Sequence, residues 1–504
     1  MSESSTPPLP TGFKRWAIVI AACLGTAVFD LTWMIVGVAL PHMQGSFSAT
    51  PDQIAWVMTA FIVGSTMMIS VTGWASERFG QEQVFIFSVL ANTAATFMCG
   101  VADSLETEVL WRFLQGVLSA PLLALGQAIC IAAFPPEKRG FASGVWGSVG
   151  VGAVVFAPLF GGYLIEHLNW RWVFYAVIPL GLIAFVWSWV FLPRTQPKSD
   201  RTLEFWGFFG LIVFVGALQT GLSRGERLDW FESTEIIIEV AIAAFALLLV
   251  VYRVMTAERP IIEINLFSDR NYSVSIIFMV LFGGLTTLPV VLLPLMLQQL
   301  GGYPPETAGE LMFSRGLGTV LSLLAVGYLM NRMDPRLVLA AGFVFYATTN
   351  IFMSTWTSSI NEWWVIGTNF IQGMASGSTY VPIITIALAT LARRYHTEAI
   401  TFMFLIFNLG SAFAVAAVFA LYTRLVQVNH SVLAEHVTET NEVFALRDSP
   451  EVWSPTTQDG LAALAVEIAR QAEMIAYVNA FLAVGVCAAV VVPVVLLVRK
   501  PPPP

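Results

Sequence analysis

Long apolar stretches, separated by short polar segments, run along almost the whole chain. A helix needs about 20 apolar residues to cross the hydrocarbon core of a bilayer, and breaks at Pro, Gly and charge clusters divide the sequence into fourteen such segments. Because lipid offers backbone polar groups no partner, each segment is expected to be a helix. The pattern predicts an all-α integral membrane protein with spans near 17–40, 54–73, 84–101, 108–132, 141–166, 172–192, 205–222, 234–254, 273–298, 307–330, 337–355, 363–391, 398–425 and 474–498.

The composition supports this prediction and excludes several other classes of protein. The chain of 504 residues is 57% hydrophobic and 12% charged, whereas soluble proteins have about 25% charged residues. A net charge of −8 without a basic stripe argues against a nucleic-acid partner. The sequence lacks phosphate-binding loops, zinc-ligand spacings and nucleophile elbows. We therefore expect a protein that is not an enzyme, has no catalytic residues and holds no metal or cofactor.

Lysine and arginine are distributed unevenly between the connecting segments. If the N-terminus is placed inside, most basic residues lie on the inner side, among them Lys14 and Lys138. The outer loops near 41–53, 102–107 and 299–306 then hold none. Basic segments tend to remain in the cytoplasm, and the number of spans is even, so both termini are predicted to be cytoplasmic.

Two connecting segments on the predicted inner side share a pattern about half a chain apart. TGWASERFG follows the second span and contains Gly73, Glu77, Arg78 and Gly80. GYLMNRMD follows the tenth span and places an amide and Arg332 at the same spacing from its own glycine. Duplicated halves are common in transporters, and the repeat predicts such halves here.

These segments and three further motifs resemble signatures of the major facilitator superfamily. The fourth span carries WRFLQG, the fifth carries GVGAVVFAPLFGG, and SRGLGTV with the following MDPR belongs to the tenth. Their order, together with fourteen spans, is similar to the fourteen-helix drug:proton antiporter branch, the EmrB/QacA type. The resemblance implies gating or structural roles for Gly73, Glu77, Arg78, Gly80, Gln115, Gly116, Pro158, Gly161, Gly162, Arg315 and Arg332.

The resemblance also implies an architecture and a function. It implies a major facilitator fold with two six-helix halves, 1–200 and 261–504, and two inserted helices within 201–260. The implied activity is proton-driven export of a drug or small amphipathic compound across the bacterial inner membrane by alternating access. Some such pumps join a periplasmic adaptor and an outer-membrane channel. The acidic outer segment 426–473, whose second part has the spacing of an amphipathic helix, is either a docking surface for such a partner or a solvated loop.

Few charges lie within the predicted spans, and each is a functional candidate because a mid-membrane charge costs about 2.5–3.5 kcal/mol. Asp30 either loads and releases protons or bonds a neighbouring helix. Arg112, which follows the expected interfacial acids Glu106 and Glu108, either interacts with the proton site or snorkels to the outer surface. Glu310 is either a second protonatable group or an interfacial acid. We predict Asp30, Arg112 and Glu310 as the proton-coupling residues.

The first span departs from the family pattern at its acid. The family has D-x-T-x-x-N-V-A-L-P, with the acid nine positions before the proline. Counted back from Pro41, that position holds Thr32, and Asp30 lies two residues earlier. Two residues along a helix correspond to a rotation of about 200°. Either the helix is irregular here, or Asp30 points away from the site that the family uses.

Arg315 lies about two turns inside the tenth span and must find a carboxylate or carbonyl partner there. It is five residues from Glu310, which is about 140° around a helix, so the two are not expected to pair. No substrate-binding residue is predicted, because aromatic side chains that stack on a lipophilic compound look the same in a sequence as those that pack a core.

Two other functions remain open from the sequence. One is an importer or uniporter of an organic metabolite, which the direction of net transport would separate from an exporter. The other is a membrane scaffold or sensor with a transporter-like fold. Asp30 and Arg315 argue against the second, since a scaffold needs no charge within the membrane.

Overall fold

The computed structural model describes residues 10–194, 204–257, 263–330, 332–357, 360–392, 395–437 and 457–495. These ranges contain helices and no β-strand, which confirms the predicted fold class. The described part of the chain has fourteen long helices: α1 Gly12–Ser46, α2 Trp56–Phe79, α3 Gln81–Val101, α4 Leu105–Ala132, α5 Arg139–His167, α6 Trp172–Phe191, α7 Phe205–Arg224, α8 Thr234–Thr256, α9 Arg270–Gln299, α10 Pro305–Leu329, α11 Pro335–Met353, α12 Glu362–Ala389, α13 His396–Glu435 and α14 Gln458–Val494.

Thirteen of these described helices are long and apolar enough to cross a membrane. The remaining one, α12, carries polar residues such as Asn369, Gln372 and Ser376, and all three side chains are buried inside the protein. α12 is therefore shielded from lipid by its neighbours and does not need a uniformly apolar surface.

The helices before and after the α7–α8 pair pack in the same pattern. α4 contacts α1, α2 and α3, while α1 also contacts α5 and α6, and α3 contacts α6. Adding eight to each of these numbers gives contacts that are also made among α9–α14, where α13 and α14 pack on each other as well. α7 and α8 pack on each other, and α7 also lies against α2 and α13.

Close backbone approaches repeat in the same way. A Cβ added to Gly64 of α2 would meet the carbonyl oxygen of Phe113 of α4, and one added to Gly318 of α10 would meet that of Phe370 of α12. Small residues at such positions let two helices pack closely without hydrophobic driving force. The α2–α4 and α10–α12 pairs are thus built alike.

The two ends of the bundle differ in their packing. We call the end at which α1 begins proximal and the opposite end distal. In the proximal part, one apolar core extends from α1–α6 into α9–α14. In the distal part, the two groups of helices have separate apolar cores. The groups are therefore joined more closely at the proximal end.

α13 and α14 extend beyond the predicted spans. α13 continues to Glu435 and α14 begins at Gln458. Residues 426–435 and 458–473 of the predicted outer segment 426–473 are therefore helical. The second of these extensions has the helical spacing seen in the sequence, and Leu464 on it is buried. The remaining positions of that segment from 438 to 456 lie outside the described residues.

Candidate functional site

Asp30 lies near the middle of α1, where the two groups of helices meet. Its carboxylate faces Gly150 of α5, and a Cβ added there would lie 2.6 Å from Oδ2. Tyr380 of α12 lies within electrostatic reach of Asp30, and neither its hydroxyl nor the side-chain amide of Gln127 on α4 has a hydrogen-bond partner among the described residues. Asp30 forms no ion pair with any described residue. An acid without a fixed cation is able to bind a proton or a positively charged compound.

Aromatic side chains from both groups of helices lie beside this carboxylate. The indole N–H of Trp146 donates to Oγ1 of Thr26, one turn before Asp30, at 2.7 Å. The Trp146 ring stacks on Tyr380 with centroids 6.4 Å apart, and the centroid of Phe282 is 5.9 Å from that of Tyr380. Aromatic faces next to an acid favour lipophilic compounds that carry a positive charge.

The backbone of Thr32, the position at which the family pattern has its acid, contacts Arg112 of α4. The Arg112 Nη1 donates to the Thr32 carbonyl oxygen at 3.3 Å and to Oε1 of Gln115 at 2.5 Å, and its Nε donates to the Val57 carbonyl oxygen at 3.2 Å. Arg112 is fully buried, so it does not snorkel to the surface. Asp30 points away from this site, which is the second of the two alternatives left open by the sequence.

Glu108 is fully buried one turn before Arg112, so our expectation of an interfacial acid was wrong for it. Among the described residues, neither of its carboxylate oxygens has a hydrogen-bond partner, and neither does Arg112 Nη2. Positions four apart share one face of a helix, and this face of α4 is turned toward Cys99 of α3. Glu106, on another face, is exposed as expected.

Arg315 of α10 forms a second buried guanidinium cluster. Its Nη1 donates to Oε1 of Gln372 at 2.5 Å and its Nη2 donates to the Thr286 carbonyl oxygen at 2.8 Å. The hydroxyl of Tyr346 is hydrogen-bonded to Oγ1 of Thr286 at 2.6 Å and to Oγ of Ser376 at 2.7 Å. Carbonyl and amide oxygens therefore hold this cation, without a carboxylate among the described residues.

The two guanidinium clusters occupy matching places in the two groups of helices. Gly116 of α4 packs against the carbonyl oxygen of Phe61, and Gly373 of α12 packs against that of Arg315. Arg315 on α10 is therefore structurally equivalent to Phe61 on α2. The Phe61 ring centroid lies 4.5 Å from the guanidinium of Arg112, so the cation comes from a different helix in each cluster.

Glu310 belongs to neither cluster. Its side chain is exposed near the distal start of α10, and it does not pair with Arg315, as the helical spacing predicts. The structure does not bring Glu310 together with Asp30 or Arg112. This placement fits the alternative of an interfacial acid.

The glycines of α5 allow close contacts with α10 and α1. A Cβ added to Gly144 would overlap the carbonyl oxygen of Leu323 on α10, and one added to Gly161 would lie 2.9 Å from α1. Gly162 has free space beside it, and Pro158 is exposed within the helix. The glycine-rich motif therefore has a packing role at particular positions rather than along its whole length.

The two repeated connecting segments lie where the two groups of helices meet proximally. A Cβ added to Gly73 would lie 3.7 Å from Glu398 of α13, and one added to Gly327 would lie 3.0 Å from the Gly140 carbonyl oxygen of α5. Gly80, between α2 and α3, has a φ of 94°, which residues with a Cβ rarely adopt. The glycines of both segments thus serve helix contact or turn geometry.

The charged members of the two segments are placed differently. Glu77 and Arg78 are half-buried in the last turn of α2, and each has an interaction partner. Arg332 is exposed, with its guanidinium 4.9 Å from the Tyr328 ring centroid. The first segment is therefore more closely integrated into the protein than the second.

Comparisons with known proteins agree with these features. The Major Facilitator Superfamily model matches residues 22–291 and 274–426. The chain is 32% identical to the multidrug export protein EmrB of Haemophilus influenzae, over 88% of this chain and 87% of that protein. It is 30% identical to the fatty acid resistance protein FarB of Neisseria gonorrhoeae, over 98% of each. The human organic anion transporter MFSD10 (TETRAN) has a similar fold, with a TM-score of 0.57 and 15% identity over 96% of this chain and all of that one. The chain therefore belongs to the major facilitator superfamily, as a multi-pass membrane transporter of the EmrB/QacA type.

Proposed function

We propose that this protein is a proton-driven exporter of drugs or small amphipathic organic compounds in the inner membrane of a bacterium. The observation that carries the proposal is Asp30, which lies without an ion pair between the two groups of helices and beside Trp146 and Tyr380. Such a carboxyl group binds a proton or faces a cationic compound, but does not favour both at once. The relatives named for multidrug export and fatty acid resistance support an export function.

Alternating access requires two bodies that move against each other. The repeated packing supports two six-helix halves, 1–200 and 261–504, with the helices within 201–260 as an insertion. The halves meet through α5 with α10 and through α2 with α13, and rocking about these contacts would open one end while closing the other. The continuous proximal core and separate distal cores support a conformation that is closed at the proximal end.

We propose that the proximal end faces the cytoplasm, together with both termini. The support is the basic residues of the proximal connecting segments, such as Lys14 and Lys138. The extensions of α13 and α14 would then lie in the periplasm. There we propose that they dock a periplasmic adaptor, which would connect the transporter to an outer-membrane channel.

In this mechanism Asp30 exchanges the proton, while Arg112 and Arg315 hold neighbouring helices through carbonyl and amide oxygens. The exposure of Glu310 supports an interfacial acid rather than a coupling residue. One proton that enters down 100 mV supplies about 2.3 kcal/mol. That free energy holds roughly a fiftyfold gradient of an uncharged compound, since about 1.4 kcal/mol corresponds to a factor of ten.

Everted membrane vesicles test this function. Respiration acidifies their interior, and addition of a transported compound, with ethidium, tetraphenylphosphonium and a medium-chain fatty acid as probes, should raise the internal pH as protons leave in exchange. Nigericin, which collapses the pH gradient, should abolish probe accumulation, and vesicles without the protein serve as the control. Movement of the probes only down their own gradients, unchanged by nigericin, would favour a uniporter. Net uptake by intact cells would favour an importer, and no movement of any probe would favour a scaffold or sensor.

A further inference from the structure

Glu108 of α4 is an acid buried inside the protein. Its side chain is fully buried, and neither carboxylate oxygen has a hydrogen-bond partner among the described residues. Thr32 of α1, whose backbone carbonyl oxygen accepts from Arg112, has a buried hydroxyl that also lacks a partner among the described residues. We propose that Glu108 is a second proton-exchanging group, which works with Arg112. This inference rests on the proposed proton-driven function.

The observed packing favours the neutral acid. Burying an ionised carboxylate without hydrogen bonds is far more costly than burying the neutral group, and in the observed packing Glu108 forms no ion pair with a described residue. Arg112 is engaged elsewhere, because its Nε and Nη1 donate to the Val57 and Thr32 carbonyl oxygens and to Gln115. Its Nη2 has no hydrogen-bond partner in the described part of the chain.

A change of partner at Arg112 would release the proton. Val57 belongs to α2 and Thr32 to α1, so a small shift of either helix against α4 breaks a contact of the guanidinium. Arg112 can then pair with Glu108, which lies one turn away on the same helix. The O–H bond of Glu108 breaks, its proton passes to water, and its electron pair stays on the carboxylate that Arg112 now stabilises. A return to the observed packing reverses each step.

Few other titratable groups act on Glu108. Besides Arg112 on its own helix, they are Cys99 of α3 and Arg171, which precedes α6. Arg171 is in turn 3.7 Å from Asp103. No described titratable group of α1 or α2 acts on Glu108, and Arg112 is the cation on its own helix.

Infrared difference spectroscopy between acid and alkaline pH tests the proposal without a substrate. In the purified full-length protein in lipid, ionisation of a carboxyl group removes its carbonyl stretch. Glu108→Gln should lose one such component from the spectrum, while Glu106→Gln, the exposed matched control on the same helix, should keep it. Glu108→Asp should restore the component with a shifted pH dependence. Identical spectra for wild type and Glu108→Gln would overturn the proposal.

Proteoliposomes with an imposed pH gradient and ethidium as the probe provide the second readout. Ethidium accumulation driven by the pH gradient should fall in Glu108→Gln and stay unchanged in Glu106→Gln. Unchanged accumulation in Glu108→Gln overturns the role of Glu108 alone, whereas a wild type that ignores the pH gradient overturns the proposed function. If Glu108→Gln does not fold, Glu108→Asp decides, since an unshifted pH dependence in that variant contradicts the proposal.

Discussion

Replacing Asp30 by Asn should uncouple ethidium transport from the pH gradient while the protein still folds. The amide has the size of the carboxylate and fits beside Gly150, but it cannot take up a proton. In the wild type, a gradient of one pH unit should accumulate ethidium about tenfold if one proton exchanges for one ethidium. In Asp30→Asn this accumulation should disappear, while ethidium should still move down its own concentration gradient. Ethidium flux in proteoliposomes with and without a pH gradient measures both quantities.

Glu310→Gln is the matched control for this experiment. Glu310 is exposed near the distal start of α10, whereas Asp30 lies near the middle of α1, so the amide variant of Glu310 should transport and couple as the wild type does. If ethidium transport stayed coupled to the pH gradient in Asp30→Asn and lost this coupling in Glu310→Gln, the coupling site would lie on α10. That result would contradict our assignment.

Replacing Gly144 by Val should block transport by separating the two halves at their proximal contact. The new side chain would overlap the carbonyl oxygen of Leu323 on α10, where backbone rather than a flexible side chain must give way. Overpacking of this kind costs about 1–3 kcal/mol, and here the cost falls on the conformation that is closed proximally. Ethidium efflux from cells and the thermal stability of the purified protein should both fall.

Gly152→Val separates this steric effect from a general loss of helix flexibility. Gly152 lies on the same helix, but a Cβ there meets no atom within 4 Å. Its valine variant should keep both transport and stability. Equal activity of the two valine variants would show that the contact between Gly144 and Leu323 is not needed for the transport cycle.

The helices and the family could be predicted from the sequence, because each span is a long apolar run and the motifs keep their order. The sequence also contains a repeat that involves a glutamine: FLQG at 113–116 recurs as FIQG at 370–373. Since Gln115 bonds Arg112, this repeat indicates Gln372 as a partner for a second buried cation. The repeat aligns Asn369 with Arg112, however, so it could not reveal that α10 supplies the second cation through Arg315.

Helix rotation could not be predicted in the same way. Whether Asp30 or Thr32 faces Arg112 depends on which neighbour α1 meets at each position, and Gly150 of α5 provides the space that receives the Asp30 carboxylate. Glu108 looked interfacial because it lies one turn from a helix start. Glu108 is buried because α3 covers this face of α4, and the local sequence pattern does not indicate which face is covered.

Proton-driven export is tested most directly with purified protein in liposomes that have an acidic interior. Equal ethidium is supplied on both sides, and potassium with valinomycin holds the membrane potential at zero. One-for-one exchange predicts that ethidium inside rises about tenfold for each pH unit, while protons appear outside. Ethidium that stays equal on both sides under the pH gradient, although it still moves down its own gradient, would contradict proton-driven export.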